Sequence, residues 1–277
     1  MGTQACTTEP PGEDMTTFHE LHRGSSPLLL PNAWDVASAL AFAEAGFSAI
    51  GTTSFGVAAS IGSPDGGRST REATGRLVRA LATLPVFITA DVEDGYSDDP
   101  AEVAAYVAGL GAAGVNVEDS SAGRLIDPAR HAAKVAAIKA SAPGVFVNAR
   151  VDNYWLKQDA RPDAALARAL AYVEAGADGV FLPGATDPEQ LRTFAQRIPV
   201  PVNVLAHPEL TVGELGDLGI RRISTGSLPY RAAIDAAVTT AVMLREGRPA
   251  PTATPYPEMQ ERLARHAARP GGSKHVP

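Results

Sequence analysis

The chain has 277 residues, enough for one large α/β domain with a full hydrophobic core. Its 24 Lys and Arg against 31 Asp and Glu give a net charge of −7, which argues against a nucleic-acid or anionic-membrane partner. One cysteine, Cys6, sits in a polar stretch, so an internal disulfide and a cysteine-based metal cage are both excluded.

The opening stretch "MGTQACTTEPPGEDMTTF" lacks the basic and apolar regions of a signal peptide, and no apolar run approaches the roughly 18 residues that span a bilayer. A cytoplasmic location with no membrane partner is therefore expected. Residues 1–15 read as a mobile N-terminal tail.

From there a motif recurs: an Ala-rich helical stretch, a glycine turn, then a short apolar run. It appears in "ALAFAEAGFSAIGT", "VAAYVAGLGAAGVNVE", "ALAYVEAGADGVFLP" and "GELGDLGIRRIST". Glycine suits the left-handed residue that closes a helix, and the run after it reads as a buried parallel strand. In chain order the strands are "PLLLPN", "FSAIGT", "VFITAD", "VNVE", "VFVNAR", "GVFLP", "PVNVL" and "RRIST". Helix-start signals fall between them, such as Ser69–Thr70 before "REATGRLVRALATL" and Asp187–Pro188 before "EQLRTFAQRI". Eight β–α units predict a (β/α)8 TIM barrel over residues 16–246. A doubly wound open sheet gives similar alternation, although no Gly-x-Gly-x-x-Gly follows the first strand. Residues 247–277 form a C-terminal extension: a Pro-rich connector "RPAPTATPYP", a short helix "EMQERLARHAAR" and a loose tail "PGGSKHVP". That helix is expected to pack either on a neighbouring subunit or on its own barrel.

In a TIM barrel the carboxyl ends of the strands converge on the active site. Polar residues fall there regularly: Asn32, Trp34 and Asp35 after strand one, Thr52, Thr53 and Ser54 after strand two, Asp91, Glu93 and Asp94 after strand three, Glu118 and Asp119 after strand four. Asn148 and Arg150 end strand five, Asn203 and His207 go with strand seven, Ser224 and Thr225 with strand eight. Carboxylates crowded at the end of an apolar strand repel one another and cost desolvation energy unless something compensates. With no Cys or His cluster nearby, the acids suit a hard cation with oxygen ligands and water, Mg2+ first and Mn2+ second. Arg150 is suited to a bidentate grip on a carboxylate. The device fits a small carboxylate substrate, chelated at one end and clamped at the other.

At these residues the sequence resembles the isocitrate lyase/phosphoenolpyruvate mutase superfamily, from about Leu28 to Glu246. The supporting stretches are "LLLPNAWDVASALAFAEAGFSAIGTTS", "GSPDGGRSTRE", "PVFITADVEDGY", "AGVNVEDS" and "VNARVDNYWL". The resemblance implies a Mg2+-dependent barrel that makes or breaks C–C or P–C bonds beside a carboxylate through enolate-like intermediates. It also implies a homo-oligomer, a dimer or a tetramer, in which the last helix is exchanged between subunits. Carried over by position, Asp91, Glu93 and Glu118 match the metal-site acids, with Glu93 standing where the family usually has Asp. Asp65 matches an acid beside the metal. Thr53, Ser54 and Phe55 match the segment that holds the substrate carboxylate and oxyanion, Arg150 the substrate-binding arginine, and Trp34 and Asp35 the "WD" after strand one.

The departures bear on the reaction. The lyases carry a Lys-Lys/Arg-Cys-Gly-His loop after the Glu118 strand, whose cysteine is the acid/base. Here the loop is "DSSAGRLIDP", with neither Cys nor His. The phosphonate enzymes carry Lys and Asn in this loop; Arg124 falls near the first and Ile126 near the second. After strand six the family offers His or Glu, and "FLPGATD" offers neither.

Each residue also has a plainer reading. Asp91 and Glu93 suit a helix cap, although Asp98 and Asp99 already serve the next helix. Glu118 suits an ion pair with Arg150, Asp65 a turn, and Trp34 packing. His207 suits either a general base or a loop residue before Pro208. Tyr96, Arg124 and Tyr154 suit a lid over the site, built on "EDSSAGRLIDP", or plain solvated loops. The expectation is a Mg2+-dependent C–C lyase, of retro-aldol or decarboxylation type, acting on a small 2-oxo or 2-hydroxy acid. A phosphonopyruvate hydrolase or phosphonomutase is the alternative within the fold; a non-catalytic metal–dicarboxylate binding barrel is the alternative of another class. Metal-bound water, His207 and Tyr154 remain open as proton carriers.

Overall fold

The computed structural model describes residues 17–269, so Cys6, the 1–15 tail and "PGGSKHVP" lie outside the described residues. The first predicted strand forms as two pieces, β1 (Leu28–Leu30) and β2 (Asn32–Ala33), separated by Pro31. Proline has no N–H for a ladder, so the strand changes neighbours at that point. β1 pairs with β11 (Arg222–Ser224), and β2 pairs with β3 (Ala49–Thr52). The remaining strands are β4 (Phe87–Asp91), β5 (Gly114–Glu118), β8 (Phe146–Arg150), β9 (Gly179–Phe181) and β10 (Val202–Leu205). All pair in parallel in the order β1-β11-β10-β9-β8-β5-β4-β3-β2. Because that order starts and ends on the two halves of one strand, the sheet closes into a TIM barrel. The open doubly wound sheet is set aside.

Helices between the strands begin largely where the sequence signals them. Asp35 and Ser38 form a reciprocal capping box on α1 (Val36–Glu44). Asp99, Asp127 and Asp187 cap α4 (Pro100–Ala108), α5 (Pro128–Ser141) and α8 (Pro188–Arg197), each followed by proline in the first turn. One signal fails. Thr70 precedes α3 (Arg71–Leu81) without capping it, because its hydroxyl donates to Glu93 Oε1. The other helices are α2 (Ser54–Ser60), α6 (Asn153–Leu156), α7 (Pro162–Glu174) and α9 (Val212–Asp217). The stretch expected as a lid folds as a small antiparallel hairpin, β6 (Ser120–Ser121) and β7 (Arg124–Leu125). Gln158 pins it, accepting from Leu125 N at 3.1 Å and donating to Gly123 O at 2.9 Å.

At the amino ends of the strands Phe18 packs with Leu30, Ala49 and Phe146 and plugs the barrel floor. The interior above it is unusually polar for this fold, whose barrel cores are dominated by branched apolar residues. Asn148 Nδ2 and Arg222 Nη2 both donate to Asn116 Oδ1, at 2.8 and 3.0 Å. Since β5 and β11 are not neighbours in the sheet, the Arg222–Asn116 bond crosses the barrel. Burial pulls the Arg222 guanidinium down to about 9, against the opposing pull of Asp91.

The last barrel helix, α10 (Leu228–Arg245), buries none of its residues; Ile234 and Val238 are 48% and 59% exposed. Beyond it, α11 (Tyr256–Ala267) returns to its own barrel, where Arg262 and Arg265 pair with Glu44 at 2.7 and 3.1 Å. Among the described residues no helix is long and apolar enough to cross a membrane.

Candidate active site

The acids after β4 do not share one role. Asp91 is half-buried at the strand end, where its N–H donates to Thr52 Oγ1 and its Oδ2 accepts from Ser54 N at 3.1 Å. Its other oxygen, Oδ1, is buried with no hydrogen-bond partner. Burial raises its carboxyl, Arg150 lowers it, and Asp65 raises it again. Glu93 adopts a left-handed φ of 49° in a turn completed by Gly95 at φ 90°. A side chain at Gly95 would meet Val103 Cγ1 at 2.5 Å, so that turn requires glycine. Glu93 Oε2 accepts from Arg68 N at 2.7 Å and Oε1 from the Thr70 hydroxyl; burial still pushes this carboxyl upward. Asp94 is consumed by Arg68 and Lys134, as a loop-building acid.

Glu118 and Arg150 are register partners on β5 and β8, and their side chains form an ion pair. Arg150 Nε also donates to Asp152 Oδ1 at 2.5 Å. Asp152 is wholly buried; its Oδ2 accepts from Ser120 Oγ at 2.5 Å and its N–H donates to Asp119 Oδ1 at 2.8 Å. Burial opposes the charge on Arg150, but Asp152 and Glu118 more than restore it. Burial lifts Glu118 well above the usual carboxylate range, against the pull of Arg150; Asp152, sharing that guanidinium, pushes it further. This corrects the bidentate clamp expected of Arg150. With Nε and Nη1 engaged, Nη2 is the nitrogen left to meet a ligand.

Arg150, Asp65 and Trp155 stand between two adjoining cavities of about 200 and 220 Å3. Asp91, Thr53, Ser54 and Phe55 line the first, whereas Glu93 and Glu118 line the second. The expected metal acids are therefore gathered at one place but split across a partition. The Ser54 N–H is spent on Asp91, so it is not free to hold an oxyanion. Thr53 caps α2, accepting from Gly56 N at 3.4 Å, and lines the first cavity as well.

Three expected residues lie elsewhere. Trp34 packs edge-on against Tyr230 at 5.4 Å and lines neither cavity, so packing is its role. His207 has both ring nitrogens occupied: Nε2 contacts Thr186 O at 2.9 Å, and Nδ1 accepts from Glu209 N and Leu210 N at 3.0 and 2.9 Å. It is a loop staple, not a general base. Arg124 is exposed on the β7 hairpin strand and lines neither cavity. The Tyr154 hydroxyl donates to Gln190 at 2.7 Å, and Tyr96 is buried against Thr70 and Thr74. Neither forms part of a lid.

Sequence reasoning missed Asp152, Trp155, Asn116 and Arg231. Asn116 Oδ1 receives two donors, which fixes the amide so that Nδ2 is the group open to the first cavity. Its alternating position before Glu118 on β5 was the available signal.

The donor set is consistent with a hard cation. All candidate ligands are oxygens, Asp91 Oδ1 is an orphaned buried acceptor, and beyond burial the negative charge of Asp65 raises the Asp91 carboxyl while Asp91 and Asp65 raise that of Glu93. Among the described residues no three His, Cys, Asp or Glu side chains are close enough to hold an ion by themselves. The arrangement thus suits an ion on Asp91 whose remaining ligands are water and substrate, the regime in which Mg2+ is usually held.

Comparison with known proteins bears on the family and the fold. The family model described as phosphoenolpyruvate phosphomutase matches residues 18–245. The uncharacterized protein Rv1998c of Mycobacterium tuberculosis is 54% identical over 253 residues, covering 91% of this chain and 98% of its own. The 2-methylisocitrate lyase of Bacillus subtilis (strain 168) is 34% identical over 239 residues, covering 79% of this chain and 77% of its own. A crystal structure of phosphonopyruvate hydrolase with oxalate and Mg2+ superposes with a TM-score of 0.79 over 92% of this chain and 97% of that one. At 23% identity that likeness speaks to the fold. The chain belongs to the phosphoenolpyruvate phosphomutase family, within the isocitrate lyase/phosphoenolpyruvate mutase superfamily, and is an enzyme of that lyase and mutase type.

Proposed function

We propose that the protein is a Mg2+-dependent lyase that cleaves, or in reverse forms, a C–C bond in a small 2-oxo or 2-hydroxy acid. The observation that carries this reading is the buried, unpartnered Asp91 Oδ1 in the same cavity as Arg150. Asp91 would hold the cation, with Glu93, Glu118 and Asp65 acting through water; Mn2+ fits the same ligands. When bound, the metal supplies a Lewis acid at the substrate oxygen where charge develops. Arg150 Nη2 and the Thr53 hydroxyl orient the carboxylate. Trp155 and Phe181, which pack near the guanidinium at 5.5 and 5.8 Å, keep water from that face. Cleavage leaves an electron pair as enolate charge, and a proton must then reach carbon. The β6–β7 hairpin contains neither Cys nor His, which supports a bond cleavage needing no acid from that loop. The 34% identical 2-methylisocitrate lyase supports C–C chemistry.

The uncovered apolar face of α10 supports a homo-oligomer in which this helix is shared between subunits. Sedimentation or light scattering on the full chain tests that part; a monomer at micromolar concentration refutes it.

The site is tested by calorimetric titration of oxalate into chelator-stripped protein with and without Mg2+, for wild type, Asp91→Ala and Arg150→Ala. Binding that requires Mg2+ and fails in both variants is expected, followed by turnover in a 2-oxo and 2-hydroxy acid screen. Metal-independent binding refutes the reading. Phosphate release from phosphonopyruvate in the same screen replaces C–C by P–C cleavage.

A further inference from the structure

The opposite face of the barrel, at the amino ends of the strands, holds a third and larger cavity of about 730 Å3. That lies in the size range of small-molecule sites. It opens between a 3₁₀ turn (Glu20–Arg23) and the segments that lead into β9, β10 and β11. Ile198, Pro199, Val200 and Pro201 give it an apolar wall, to which the two prolines bring no N–H.

The polar lining is basic. Arg23 and Arg221 both line the cavity, and neither guanidinium has a hydrogen-bond or ion-pair partner among the described residues. Asp178, the one carboxylate among the lining residues, is already balanced: its Oδ2 accepts from Lys139 Nζ and Val147 N, each at 2.8 Å. Its Oδ1 lies 3.5 Å from His19 Nε2. In a chain of net charge −7, two unpaired guanidinium groups beside a neutralised acid mark a place suited to an anion. His22 lines the same cavity, buried and stacked on Phe146 at 4.1 Å. Its Nδ1 meets Phe18 O at 2.9 Å; a carbonyl only accepts, so Nε2 of the neutral ring is a buried acceptor with no partner among the described residues. The O–H of a ligand, or of a water brought with it, would fill that position.

We propose that this amino-end cavity is a second binding site, which takes a phosphate monoester with an apolar body. The phosphate lies between Arg23 and Arg221, and the body rests on the Ile198–Pro201 wall. Two guanidinium forks match a dianion with three free oxygens better than they match a single carboxylate. Barrel chemistry belongs to the carboxyl ends of the strands, so this site binds without turnover and is independent of the reaction at Asp91.

The test is calorimetry on the full chain, stripped of metal, with 1-naphthyl phosphate and its two fragments, inorganic phosphate and 1-naphthol. Wild type is compared with Arg23→Gln, Arg221→Gln and Arg221→Lys. Wild type is expected to bind 1-naphthyl phosphate at least tenfold more tightly than either fragment. Each Gln variant should weaken that binding about tenfold, the scale of one partly exposed charge-assisted contact, and Arg221→Lys should recover part of it. Melting temperatures within about 2 °C of wild type show that the loss is one of contact and not of fold; Arg23 is exposed, so its variant secures this control. No binding of 1-naphthyl phosphate at about 1 mM, or an affinity that survives both Gln variants, overturns the proposal. Equal affinity for inorganic phosphate and 1-naphthyl phosphate overturns it as well, because the apolar wall then holds nothing.

Discussion

Asp152 offers the sharpest test of how the site is held. It is wholly buried, and it accepts from both Arg150 Nε and Ser120 Oγ at 2.5 Å. Asp152→Ala leaves those two donors without acceptors and strips one of the two carboxylates from a buried guanidinium. Breaking a buried pair by removing one partner costs about 3–5 kcal/mol. Glu118 remains on Nη1, so the lower end, about 3 kcal/mol, is expected. For a domain of this size that corresponds to a fall in melting temperature of about 6–12 °C. Asp152→Asn keeps the shape and one acceptor, and should lose about half as much. Urea unfolding reads the stability, and oxalate titration reads the aim of Arg150, whose affinity should fall about tenfold in Asp152→Ala as the guanidinium loses its anchor. A loss below about 1 kcal/mol together with unchanged oxalate affinity would refute the claim that Asp152 holds Arg150 in place.

Four further outcomes are expected. His131 is buried against Tyr172 with neither ring nitrogen partnered, and burial brings its pKa down to about 3 from 6.5. The unfolded chain therefore binds the proton first, so stability falls as pH drops below about 6.5, by about 1.4 kcal/mol per unit; at pH 5 His131→Phe should remove about 2 kcal/mol of acid sensitivity from urea-unfolding curves, measured against wild type. Glu118 has the opposite sign: its raised carboxyl means that ionisation costs stability as pH rises above the ordinary carboxylate range. Glu118→Gln should gain on wild type from pH 5 to pH 8 in the absence of metal, and a constant difference across that range would refute the burial argument. Asn116→Asp keeps the acceptor that Asn148 and Arg222 share but turns the open amide into a carboxylate, so oxalate binding should weaken at least tenfold while the melting temperature holds. His207→Ala, by contrast, should leave oxalate affinity within about twofold, because its nitrogens serve the backbone alone.

The barrel was legible in the chain because its signals are local. Apolar runs such as "VFITAD", glycines at helix ends and Asp-Pro starts each report the conformation of a few neighbouring residues, and all eight expected strands form. The split of the first strand at Pro31 and its change of partner were not legible, since pairing joins residues nearly 200 positions apart. Thr70 shows the same limit: its local pattern is that of a helix cap, but an acid 23 residues further on takes its hydroxyl.

At the site, the sequence by itself determined which residue types reach the carboxyl ends of the strands, because strand periodicity and chain order decide that without reference to the rest of the fold. Asp91, Glu93, Glu118 and Arg150 all arrive there. Only the tertiary structure decided which of them is free. Arg150 has two nitrogens committed, Glu93 is satisfied by Arg68 and Thr70, and Asp91 alone keeps a buried unpartnered oxygen. The reason is that a hydrogen bond or an ion pair is a property of distance and direction between remote segments, and a charged group's availability depends on every partner that packing brings within reach.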